Sequence, residues 1–234
     1  MDTMLAAMRV LPWADWLAVV LFFGCWVGYA NFARRRSRLQ ASVLGLTNRE
    51  RRRWMLQATY RDNRVLDGVV VQNLSTSPSF FASTTILIIG GLLATLSATD
   101  KASGLVSEIP FAARTTMLVF DLKLVLLTAV FVYAFFRFTW SLRQYSFGVL
   151  LVGAAPQPDR YVDDAEREAF ADRAGRVMGL AAETFNDGLR AYYFSFAAVG
   201  WFFSPLVFVI ATIGVVTILY QREFRSEVLD ALSS

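Results

Sequence analysis

The chain has 234 residues, 56% of them hydrophobic, with a net charge of +4, which excludes an ordinary soluble domain and fits apolar spans joined by polar segments. It has no histidine and one cysteine, Cys25, so the usual imidazole ligand for haem, zinc or copper is missing and no internal disulfide can form; no cofactor and no metal are expected. Of its 23 basic residues all but Lys101 and Lys123 are arginine, and their position beside apolar spans accounts for them without a nucleic-acid partner.

Four apolar stretches, at about residues 13–32, 74–98, 117–138 and 192–220, each reach the roughly twenty residues that a spanning helix needs. The predicted fold is all-α: a four-span transmembrane helical bundle with cytoplasmic helical extensions, one integral membrane domain over 1–234. Cys25 lies within the first stretch and reads as a small buried apolar residue. Ten arginines follow that stretch, from Arg34 to Arg64. The positive-inside rule puts them in the cytoplasm and the N-terminus outside, and alternation over four spans puts the C-terminus outside too, across the cell membrane. Only Arg9 precedes the first apolar run, with Asp2. That polarity is the reverse of a secretory signal, so the segment is expected to remain as an anchor.

After the first span, Thr47-Asn48-Arg49-Glu50 matches the Thr-x-x-Glu capping box and predicts a helix from Asn48. Trp54, Met55, Ala58 and Val65 give it an intermittent apolar side. Two placements fit: along the inner leaflet, with arginines on anionic lipid headgroups, or packed on the rest of the protein. The second span opens with hydroxyl residues around Pro78, which cannot donate to the carbonyl of Leu74. Asn73, Ser77 and Thr84 fall near one helical face. They read either as small groups that let helices approach, as do Gly90 and Gly91, or as the polar side of a pathway.

A short outer loop with Asp100, Lys101, Glu108 and Pro110 leads to the third span, which carries Asp121 and Lys123. Two residues apart, these point to nearly opposite faces. If the helix begins near Thr115, Lys123 lies inside the hydrocarbon and requires a partner; if it begins near Val119, both charges meet the outer headgroups. Beyond Phe136 the spacing of Phe138, Leu142, Tyr145, Val149 and Val152 extends the helix, with one packed stripe, as far as Gly153. Gln157 to Asp164 is a polar link. Phe170, Ala174, Val177, Ala181 and Phe185 then line a second cytoplasmic helix, with Asp172, Arg173 and Arg176 pointing elsewhere. Asn186-Asp187-Gly188 is predicted to interrupt it, and Pro205 to kink the last span.

The runs Asn63-Arg64-Val65-Leu66-Asp67, Ser79-Phe80-Phe81-Ala82-Ser83-Thr84-Thr85 and Ala134-Phe135-Phe136-Arg137-Phe138-Thr139-Trp140-Ser141-Leu142-Arg143-Gln144, with Gly153-Ala154-Ala155-Pro156, resemble the signature of an uncharacterised integral membrane family. That family is shared by bacteria and plants and catalogued only as a domain of unknown function. The resemblance implies a membrane domain and hands over no activity or catalytic residue.

From the residues themselves the leading expectation is an oligomeric channel or transporter for a small ion or solute. Asn73, Ser77, Thr84, Asp121 and Lys123 are its pathway or selectivity residues. The expected partners are membrane lipids, including anionic headgroups near the arginine-rich segment, and further copies of the chain in a homo-oligomer. The alternative is a non-transporting scaffold that docks a partner through its cytoplasmic helices. A lipid-modifying enzyme ranks last, because histidine, a paired metal motif and a recognisable nucleophile are all missing.

Overall fold

The computed structural model describes residues 11–37, 40–99, 102, 104 and 116–233, whose regular structure is helical. The helices are α1 (Trp13–Arg36), α2 (Val43–Ala58), α3 (Val65–Ser97), α4 (Met117–Ala154), α5 (Asp164–Gly200), α6 (Pro205–Phe224) and α7 (Glu227–Ser233). Four stretches are long and apolar enough to cross a membrane: α1, α3, α4 and Pro205–Ser233. The predicted last span, 192–220, is not one helix. The chain turns after Gly200, and Pro205 opens α6, where its missing N–H costs nothing. Ser204 caps the new helix through Val207 N–H, 3.1 Å from its Oγ. The predicted outer loop with Asp100, Lys101, Glu108 and Pro110 lies outside the described residues.

The chain divides into two compact units. Unit 1 comprises residues 1–34, 85–134 and 189–220; unit 2 comprises 35–84, 135–188 and 221–234. Helices α3, α4 and α5 each contribute to both.

Unit 1 is built on aromatic packing. Phe22 meets Phe208 at 4.9 Å between ring centroids and Phe194 at 5.5 Å, and Trp26 stacks on Phe194 at 5.2 Å. The α5 part of this unit turns Ala191, Phe194, Ala197 and Ala198 into the interior and Phe196 and Val199 outward. The other helices turn Leu17, Val20, Leu206 and Ile210 outward, the apolar exterior that a lipid environment accommodates. Phe22 with Phe208 and Phe32 with Tyr220 also show that α6 runs parallel to α1. Trp13 and Tyr220 therefore lie toward opposite ends of unit 1. Simple alternation over four spans, which puts both termini on one side, does not count the α5 residues 189–200 that belong to unit 1 between α4 and α6. The charges of α5 hide that stretch from a hydropathy count.

Unit 2 is a polar assembly around a smaller core of Met55, Val71, Tyr145, Val152, Tyr161 and Phe170. Helix α2 begins at Val43, not at Asn48: Ser42 Oγ accepts Gly45 N–H at 3.0 Å. Thr47 Oγ1 instead donates to Leu44 O, and Glu50 pairs with Arg53. The helix ends at Ala58, so Val65 belongs to α3. Of its two predicted placements the structure has the packed one, since α2 lies against α5 so closely that a Cβ on Gly175 would come 2.9 Å from Arg52 Cα.

Along α4, Phe138, Tyr145 and Val152 are buried as predicted, but Val149 is 45% exposed. Gly148 takes its place against Met178, because the buried stripe includes Ser141 and drifts with the 3.6-residue turn. On α5, Phe170, Ala174 and Ala181 are buried and Asp172, Arg173 and Arg176 are exposed. The predicted break at Asn186–Gly188 is absent. Gly188 serves close approach to the Phe138 ring instead. Asp163 and Glu166 start α5 as a reciprocal cap, with Glu166 N–H on Asp163 Oδ1 and Val162 N–H on Glu166 Oε2, both at 2.8 Å.

Candidate functional sites

In unit 1 two charged side chains are buried near the starts of α1 and α4, beside aromatic rings. Asp15, in the first turn of α1, accepts the Trp201 indole N–H at 2.6 Å. Lys123, two turns into α4, is 2% exposed. Its Nζ lies 5.6 Å from the Trp201 ring centroid and 5.8 Å from that of Phe202, and Asp15 acts on it electrostatically. An ammonium removed from water needs such a set, namely ring faces for the cation and a carboxylate for balance. Asp121 points elsewhere, as predicted, and accepts Thr99 Oγ1 at 2.7 Å. The helix starts at Met117, between the two predicted starts, and Lys123 is buried.

The remaining predicted pathway residues fall in unit 2. Asn73 and Ser77 lie on the exposed face of α3, and Thr84 is half-buried. The inward face is Asp67, Val71, Pro78 and Ala82, with Thr85 continuing it into unit 1, where its hydroxyl meets that of Tyr192 at 2.6 Å. A Cβ placed on Gly90 or Gly91 would have no neighbour within 4 Å among the described residues, so these glycines do not mediate close helix packing there.

The second cluster joins helix ends within unit 2. Arg64 donates to Ala58 O at 3.0 Å, to Ala155 O at 2.7 Å and to Pro156 O. Arg167 donates to Thr59 O at 2.8 Å and Pro158 O at 2.5 Å, its guanidinium between the rings of Tyr60 and Tyr161. Carbonyls that end a helix without an intrahelical partner suit a planar cation with several donors. Asp67, fully buried, accepts Trp54 Nε1 at 2.7 Å and pairs with Arg61. Burial pushes the Tyr161 hydroxyl above its usual pKa, against the pull of Arg64 and Arg167. Farther along, Asn48 Nδ2 donates to Glu183 at 3.2 Å, and Arg51 donates to both Asn48 and Thr47. Burial pushes Arg51 below its usual value, against the charges of Tyr145 and Glu183. Arg137 pairs with Asp187, and Ser141 Oγ donates to Ala181 O at 2.8 Å.

The motif segments that stood apart in sequence are thus physically joined: Arg64 ties the Asn63–Asp67 run to the Gly153–Pro156 run, and Phe81 packs on Phe138 at 5.3 Å. A family model described as a protein of unknown function, DUF599, matches residues 17–228. The chain belongs to the DUF599 family. No curated protein matches it, and no solved structure does.

In this DUF599 protein the motif residues Arg64, Asp67, Phe81, Phe138 and Ser141 make contacts within unit 2. Asp15 and Trp201 escaped the sequence reading. Asp15 sits at the start of an apolar run, where an acidic residue is an ordinary helix-start choice, and Trp201 lay inside a supposed continuous span. The signal that could have found the pair was an acidic residue and a lysine both inside predicted spans. Among the described residues no group of three or more potential metal-ligating side chains occurs.

Proposed function

We propose that this protein is an integral protein of the cell membrane that moves a small anionic solute, working as a homo-oligomer. The observation that carries the reading is Lys123, a cation buried in the lipid-compatible unit with Asp15 and two aromatic faces around it. Ionisable groups in that setting mark solute or ion routes by default. An anion entering near the starts of α1 and α4 would compete with Asp15 for the lysine. The arginines after α1 support an outside N-terminus, and the parallel course of α6 supports an inside C-terminal segment. Asn73 and Ser77 are then available to a subunit boundary rather than to a pathway within one copy.

Flux into liposomes of chloride, phosphate and short carboxylates tests this. Wild-type protein should carry at least one of them, Lys123→Gln should lose that flux, and Lys123→Arg should keep part of it. Absence of flux from folded, inserted wild-type protein, or full flux from Lys123→Gln, would sink the reading. One observation favours the scaffold instead: Phe136, Trp140, Phe147 and Leu150 form an exposed apolar stripe along α4 at helical spacing. Loss of assembly in Trp140→Glu, with no wild-type flux, would favour that alternative.

A further inference from the structure

A groove of about 340 Å³ opens on the outer surface of unit 1 between α1 and α4. Phe23 and Val27 line it from α1, Ala129 and Tyr133 from α4, and all four are exposed. Its wall is stiffened by Trp26, which stacks on Phe194 and meets Tyr133 edge-on at 5.5 Å. Along α1 the lining changes character after Ala30: the last two contributors are Asn31 and Arg34. From Phe23 to Arg34 the helix rises about 16 Å.

We propose that this groove seats one anionic glycerophospholipid, with an acyl chain against the apolar walls and the phosphate at Arg34 and Asn31. The two ends of the groove match the two ends of that molecule. The apolar part faces outward from helices long enough to span a bilayer, where acyl chains are the surrounding solvent. Guanidinium binds phosphate through paired N–H donors, and a carboxamide N–H₂ can reach a second phosphate oxygen. Arg34 also follows the apolar run of α1 directly, at the depth where headgroups lie. The inference rests on the membrane placement of these helices and is independent of transport.

Native mass spectrometry of the full chain, released from mixed phosphatidylethanolamine and phosphatidylglycerol bilayers, provides the test. Wild-type protein should retain one phosphatidylglycerol. Arg34→Gln should lower its retention about fivefold, the effect of one basic residue at a membrane surface, and Ala129→Trp should abolish it without changing the unfolding temperature. Ala129 is exposed, so the larger side chain has room. Equal retention in all three proteins would overturn the proposal. So would a wild-type dimer, free of lipid, that Ala129→Trp converts to monomer, because the groove would then be covered by a second copy.

Discussion

Most glycines differ between the two units, the exceptions being Gly200, which meets Val207 in unit 1, and Gly68 and Gly153, which are open in unit 2. In unit 1, Gly24, Gly28, Gly90, Gly91 and Gly214 all have open space where a side chain would begin. In unit 2, Gly148, Gly175, Gly179 and Gly188 each have a neighbouring helix or side chain filling that space. Unit 1 coheres through large rings, and of these five glycines four are exposed and Gly214 is half-buried. Unit 2 brings helices together at backbone distance and ties their ends with arginine. The first strategy suits surroundings in which the exterior is as apolar as the core. The second needs polar groups satisfied one by one.

The largest expected effect breaks that contrast at a single position. Gly175→Leu drives a side chain into the α2 backbone at Arg52 and should cost about 3 kcal/mol or prevent folding. Gly28→Leu, the same change in unit 1, should leave thermal unfolding in detergent nearly unchanged. Similar losses in both would mean the open glycines of unit 1 are covered in the assembled protein.

Arg64→Ala should come next. It strands the carbonyls of Ala155 and Pro156 and should cost about 2 kcal/mol. Arg64→Lys should restore little, because one ammonium cannot serve three carbonyls held in different directions. Lys123→Met in unit 1 should sharpen the comparison. On its own this change would leave Asp15 buried without its cation, so it is made together with Asp15→Asn, which keeps an acceptor for Trp201; replacing a buried pair by uncharged groups is often close to neutral, so stability should hold while solute flux disappears. A large stability loss would make Lys123 a structural cation.

The class of fold was legible because hydropathy reports any helix that must face lipid on its own, which covers α1, α3 and α4. It misreported the last third, where one side of α5 keeps Asp187 and Arg190 buried against its neighbours. Burial by neighbours has no local sequence signature. The same reason explains the site. Lys123 was visible as a charge in a span, whereas Asp15 and Trp201 are joined to it by packing between residues as much as 186 apart. On α3 the hydroxyl residues gave a polar pattern but not its direction, and the buried face turned out to be that of Asp67, Val71, Pro78 and Ala82. Asn186-Asp187-Gly188 has turn composition, yet the Phe138 ring needs a glycine beside it within a continuous helix.

The smallest predicted effect probes the polar unit by pH. Tyr161 is buried, and its hydroxyl has no hydrogen-bond partner among the described residues. Burial raises its folded pKa above the ordinary tyrosine value of about 10. The stability linked to keeping it neutral is therefore fully present below about pH 10 and is lost as pH rises through the folded value. Arg64 and Arg167 oppose the shift by favouring the phenolate, which keeps the loss small. Tyr161→Phe should remove this alkaline loss and, since the hydroxyl is unsatisfied, should leave neutral-pH stability the same or slightly higher. Unfolding temperatures measured from pH 8 to 11 should diverge, with the variant falling less steeply than the wild type. Parallel curves would mean that the phenol is not held in its neutral form by the fold, and that the arginines bracketing it, rather than burial, set its ionisation.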